Sequence, residues 1–203
     1  MKEYTWYPDI KSYVKDNNVV VIPIAKTGTN STREFLGQHL LEDPHFTMTR
    51  LIQEVGRPTL KNLVTFAIVR NPYDRAVSWW ASMNSQKVTM GGTAVEHFDR
   101  WIGTVYCGKR YDYRFLLPQV QWLTDGGDRP WTEGGPADGE ILTNFIIRFE
   151  NIAEEWGEHF DGDLPHNNKS KRSRDYRKFY TEFSKKMVYD LWRPDFERFG
   201  YEF

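Results

Sequence analysis

A single cysteine, Cys107, stands among 203 residues, so no internal disulfide can form. The expectation is a reducing compartment and a cytoplasmic protein. No apolar run approaches the ~20 residues of a membrane span. Met1-Lys2-Glu3-Tyr4-Thr5-Trp6 does not read as a secretory signal, so the glycosylation-pattern matches at Asn30 and Asn168 are taken as chance. Charge of one sign is missing too: the formal net charge is -1, which speaks against a nucleic-acid coat protein. Five scattered histidines and one cysteine offer no ligand cluster, and no metal is expected. Internal repeats and wide linkers are absent, and residues 1–203 read as one domain. Chains near ~150 residues already bury roughly two-thirds of their surface.

What is present is a run of strand, loop and helix signals. Val19 to Ile24 is continuous and β-branched, as expected of a strand buried on both faces of a parallel sheet. Val64 to Val69 is a second such run and Asn144 to Phe149 a third. Helical spacing appears within residues 1–17, from Ser31 to Leu41 and over 48–56, where Gly56 and Pro58 should stop it. It appears again from Pro72, over 94–106, over 151–160 and in a C-terminal helix that Pro194 should end or kink. Residues 125–139 carry glycines and prolines and read as a mobile loop insertion. The expected fold is α/β: a P-loop-like three-layer sandwich with a small central parallel sheet flanked by helices.

Two segments at strand ends carry the chemistry. After the first strand comes Ala25-Lys26-Thr27-Gly28-Thr29-Asn30-Ser31. Gly28 lets backbone approach a ligand closely, Lys26 adds positive charge, and Thr27, Thr29 and Ser31 add hydroxyls. The lysine precedes the only glycine, so this is not the Walker order of nucleotide hydrolases. An ordinary βα turn with a surface lysine is the plainer alternative. After the second strand comes Arg70-Asn71-Pro72-Tyr73-Asp74-Arg75-Ala76-Val77-Ser78. An arginine there can make two parallel bonds to phosphate, with Ser78 about two turns on. The plainer alternative is a surface Arg–Asp pair.

Together these segments resemble the sulfotransferase superfamily, which uses 3'-phosphoadenosine 5'-phosphosulfate (PAPS). Leu117-Pro118-Gln119, Phe149-Glu150-Asn151-Ile152, Leu164-Pro165-His166-Asn167-Asn168-Lys169-Ser170 and Asp195-Phe196-Glu197-Arg198-Phe199-Gly200-Tyr201 extend the resemblance to the C-terminus. They are similar to the carbohydrate branch typified by heparan 2-O-sulfotransferases and their bacterial and phage relatives. The resemblance implies that Lys26, Thr27, Gly28, Thr29, Asn30 and Ser31 hold the 5'-phosphosulfate. It implies that Arg70 and Ser78 hold the 3'-phosphate, with 3',5'-ADP as product. Ser170 and Lys171, in a basic segment that also reads as a solvated charged face, are expected to close over the cofactor.

Sulfuryl transfer needs a base for the acceptor hydroxyl, and histidine suits that task near neutral pH. His45, in Asp43-Pro44-His45-Phe46-Thr47, resembles the family's His-x-Thr segment and is the expected base. His39 is expected to pack, His97 and His159 to lie on helix faces, and His166 to belong to a cofactor loop. Lys26 is expected to meet the bridging oxygen as its charge grows. The implied function is metal-independent, PAPS-dependent sulfation of a hydroxyl. Sugar, steroid, peptide tyrosine and phenol all fit the residues, and carbohydrate follows from the resemblance. The alternatives are a P-loop-like nucleotide kinase and a non-catalytic nucleotide- or glycan-binding module.

Overall fold

A computed structural model describes residues 9–37, 45–84, 92–107, 113–127, 129, 131–165 and 173–203. Three parallel strands, β1 (Val19–Ile22), β2 (Val64–Val69) and β3 (Phe145–Arg148), form one sheet with β2 in the middle. Val19 lies opposite Val64, and Phe66 opposite Phe145. The two rings of that second pair stack at 5.1 Å, a cross-strand contact that helps fix the register.

Side chains alternate across the pleat and build two cores. Val20, Ile22, Ala67 and Val69 face one core, shared with α1 (Ile10–Asp16), α3 (Met48–Leu60) and the segment from Leu117 to Leu123. Val21, Phe66, Ile68 and Ile147 face the other. Phe35 of α2 (Thr29–Phe35) and Trp156 of α8 (Ile152–Gly157) cover that side. The result is a three-layer α/β sandwich around a small parallel sheet, as the sequence predicts. Among the described residues, helix α1 starts at Ile10, with Asp9 accepting from Ser12.

A third core lies beside the sandwich. There α4 (Pro72–Asn84) and α5 (Ala94–Tyr106) pack on α9 (Glu182–Phe199) through Trp79, Trp80, Phe98, Trp101, Val188 and Trp192. Two short helical turns, α6 (Tyr113–Leu116) and α7 (Gln119–Trp122), return the chain to the sheet. Helix α4 leaves directly from the end of β2, so the third core anchors whatever side chains that junction presents.

Two helices are interrupted at the breakers that the sequence carries. The helix that starts at Met48 breaks at Gly56 (φ 80°, ψ 154°), as expected, and a second short helical piece runs on to Leu60. Pro58 falls in the first turn after the break, where its missing N–H costs nothing. Helix α9 runs through Pro194 with its distortion at Trp192, so the proline kinks the helix and does not end it. The 125–139 segment is tethered: buried Gln121 donates to the carbonyls of Arg129 (3.0 Å) and Pro136 (2.6 Å).

Candidate functional site

The loop after β1 turns back on its own carbonyls. Thr27 and Thr29 hydroxyls both donate to the Ile24 carbonyl, at 2.9 and 2.8 Å. Arg75 Nε donates to the Ala25 carbonyl at 3.2 Å, and Arg70 Nη1 to the Lys26 carbonyl at 3.0 Å. Three successive carbonyls are thereby taken. Because each peptide is planar and trans, the N–H after a carbonyl points away from it. The amides of Lys26 and Thr27 therefore face opposite the two arginines. Lys26 (φ 71°) and Gly28 (φ 91°) are both left-handed, and Lys26 is the sole non-glycine with positive φ among the described residues. That conformation costs a side-chain-bearing residue ~1–2 kcal/mol and persists only where its surroundings impose it. Backbone amides on the far side of those carbonyls, beside a lysine, are of a kind that suits an oxyanion. The short helix α2 contributes less than these loop amides, with Thr29 and Ser31 buried and Asn30 exposed at its start.

At the end of β2 one side chain does the work of a missing neighbour strand. Gln119 Oε1 accepts from the Arg70 N–H (2.8 Å), and its Nε2 donates to the Arg70 carbonyl (2.7 Å). The next residue, Asn71, caps α4 by accepting from the Tyr73 N–H (3.0 Å). Its own N–H donates to Glu150 (2.7 Å), and its side chain donates to the Glu202 carbonyl (2.7 Å) and to Tyr176 (3.2 Å).

The guanidinium of Arg70 lies over the Phe149 ring at 4.0 Å. Its Nε and Nη2 both donate to Asp74 Oδ2, at 2.9 and 2.5 Å. The plainer sequence reading, an Arg–Asp pair, thus forms, but Arg70 is buried and not a surface residue. The expectation of two parallel bonds from Arg70 to a phosphate needs correcting on one point. The Nε–Nη2 edge carries Asp74, because a residue four positions on at a helix start lies over the strand-end side chain. Ser78 is one further turn along the same helix face and half-buried.

Behind both segments sit two buried charges that sequence reasoning passed over. Arg75 is 4 % exposed, under the Trp192 ring at 5.7 Å, and reaches the Leu117 carbonyl at 3.5 Å. Its Nη2 has no hydrogen-bond partner among the described residues. Burial pushes its guanidinium down to about 10, which leaves it charged at neutral pH. Asp195, fully buried on α9, accepts from the Val120 N–H (2.9 Å) and Gln119 Nε2 (3.2 Å). Burial pushes its carboxyl up to about 6, against the opposing pull of Arg75 and of those donors. The signal for Arg75 was its place inside the apolar stripe Tyr73, Ala76, Val77, Trp80; a charge there has to be buried and held.

His45 joins this strand end. Its Nδ1 is 3.0 Å from the carbonyl of Pro23, three residues before Lys26. A carbonyl can only accept, so Nδ1 carries the hydrogen and Nε2 the lone pair, as a general base requires. Edge contacts with Phe115 (6.0 Å) and Trp122 (6.2 Å) hold the ring, and Phe115 stacks on Trp79 at 4.8 Å.

Lys26, Thr27, Gly28, Arg70 and His45 therefore gather at the carboxyl ends of β1 and β2. Ser170, Lys171, His39 and His166 lie outside the described residues. His159 stacks on Phe145 at 3.9 Å, just beyond α8, and His97 lies in α5. Among the described residues no three His, Cys, Asp or Glu side chains group as metal ligands, and no helix is long and apolar enough to cross a membrane. Comparison with family models, curated proteins and solved structures finds no match to this chain.

Proposed function

We propose that this protein is a sulfotransferase that moves the sulfuryl group of PAPS to a hydroxyl acceptor. The carrying observation is the junction of the two anion grips: the Arg70 guanidinium donates to the carbonyl of Lys26 at 3.0 Å. A nucleotide phosphorylated at both the 5' and 3' positions needs two such grips within one ribose's breadth. The residues fit that group in kind. Loop amides, a lysine and a guanidinium are all donors suited to oxyanions.

Bound PAPS would supply an activated sulfuryl group on a phosphate leaving group. Lys26 and the amides of Thr27 and Gly28 would hold the 5' end, and Arg70 with Ser78 the 3'-phosphate. Lys26 would meet the negative charge that grows as the S–O bond breaks, so its ammonium would favour departure. His45 Nε2 takes the acceptor's proton as the new O–S bond forms, while Nδ1–H on Pro23 fixes the ring's tautomer. Phe115, stacked on Trp79, packs edge-on against the base and helps hold its ring. A carbohydrate hydroxyl is the acceptor class we propose, on the sequence resemblance alone, and the cytoplasm is the proposed location.

The test is transfer of labelled sulfate from PAPS to a panel of glycans, phenols and tyrosyl peptides. Label on a glycan supports the whole reading, and label on another acceptor corrects the substrate class. No transfer to any hydroxyl, with magnesium-dependent binding of ATP, replaces it with a kinase. Tight binding of 3',5'-ADP without transfer replaces it with a binding module.

A further inference from the structure

We infer that Arg75, which has no part in the chemistry above, is a positioning residue that orients the Lys26 turn for the 5' oxyanion. This rests on reading that turn as an anion grip. Arg75 is buried, and Asp195, the buried carboxylate that attracts it, forms no ion pair with it among the described residues. Its directed bond goes to a backbone oxygen, Ala25 O, at 3.2 Å. A buried charge held this way must have a reason, because desolvating a guanidinium is costly. The geometry supplies one. Fixing the Ala25 carbonyl rotates the peptide between residues 25 and 26, which sends the Lys26 N–H to the opposite side. Arg70 does the same to the following peptide. Arginines five residues apart thereby impose the left-handed conformation of Lys26 (φ 71°), which its own side chain disfavours. Trp192 and the Leu117 carbonyl confine the Arg75 head so that the bond cannot wander.

A purely structural arginine would affect both ends of a nucleotide alike. A positioning arginine affects one. Arg75→Lys keeps the charge but loses the directed Nε donor. It should weaken pyrophosphate and 5'-AMP about tenfold, the worth of one oriented donor set, and leave 3'-AMP within about twofold. In the same variant, 15N relaxation order parameters of the Lys26 and Thr27 amides should fall from about 0.85 toward 0.6.

If neither Arg75→Lys nor Arg75→Gln folds, the wild-type protein carries the test. Binding is reciprocal, so saturating pyrophosphate should slow hydrogen exchange at the Arg75 Nε–H about fivefold or more. Equal loss for 5'-AMP and 3'-AMP in Arg75→Lys, unchanged loop order, or exchange at Nε that ignores pyrophosphate would each overturn the inference. Failure of the wild-type protein to bind pyrophosphate would overturn it as well. If pyrophosphate binds and responds to Arg75 while 3',5'-ADP binds no tighter than 5'-AMP, the sulfotransferase reading fails and the role of Arg75 stands.

Discussion

The turn after β1 and the junction after β2 lie side by side at the carboxyl end of the sheet, yet they are held in different ways. The first is held through its backbone: its carbonyls accept from Arg70 and Arg75, 44 and 50 positions away, and two of its residues are left-handed. The second is held through side chains, its own and those of Gln119, Glu150 and Tyr176 far along the chain. Asn71 caps its own helix, Arg70 pairs with Asp74 one turn on, and Gln119 satisfies both backbone groups of Arg70. A grip made of backbone must borrow its shape from elsewhere; a grip made of a side chain needs only a rigid base. Perturbations should therefore spread from the second segment to the first and seldom the other way.

The largest expected effect separates chemistry from both grips. His45→Ala should slow turnover by roughly 10²–10⁴-fold and leave nucleotide affinity nearly unchanged. Steady-state kinetics beside calorimetry checks this; a parallel loss of affinity would place His45 in binding.

The next concerns the base under the second segment. Asp195 titrates near 6 when folded, above its ordinary value near 3.8. A raised carboxyl binds its proton more tightly in the folded state, so its contribution to stability is full below about pH 4 and is lost as pH rises through about 6. The wild-type protein should lose on the order of 3 kcal/mol relative to Asp195→Asn over that window. Urea denaturation of both at pH 3 and pH 7 measures it, and parallel pH profiles would contradict it.

The sheet and the α4 start were legible in the sequence because buried parallel strands are continuous β-branched runs and Pro72 marks a helix's first turn. The Lys26 and Arg70 segments were legible as separate donor-rich strand ends for the same local reason. What could not be read was who holds whom. Nothing near Gln119 or Asp195 in sequence announces a clamp on Arg70, since those bonds span 49 and 76 residues. Nor does spacing alone say that Asp74 takes the forked edge of Arg70. Gly56 and Pro58 were legible as breakers, since the helix anchored by Met48 and Leu51 breaks at the left-handed Gly56.

Arg70→Ala should weaken 3'-phosphorylated nucleotides by ~1.5–3 kcal/mol and 5'-AMP by less, through the lost hold on Lys26. Equal losses for the two would merge the grips into one. The smallest effect tests the backbone-held turn directly. Gly28→Ala should cost ~1–2 kcal/mol of stability from backbone strain alone. The new Cβ would meet Phe149 at an ordinary 3.5 Å, so no clash adds to that cost. Thermal or chemical denaturation reads it, and a neutral substitution would mean that the turn is not held as described.

The central claim is that one nucleotide is gripped at both phosphates by these two segments. Calorimetric titration with 3',5'-ADP, 5'-AMP and 3'-AMP, without magnesium, tests it most directly. The bisphosphate should bind at least about tenfold tighter than either monophosphate, one charge-assisted contact set being worth that much. A bisphosphate that binds no tighter than 5'-AMP would contradict the account.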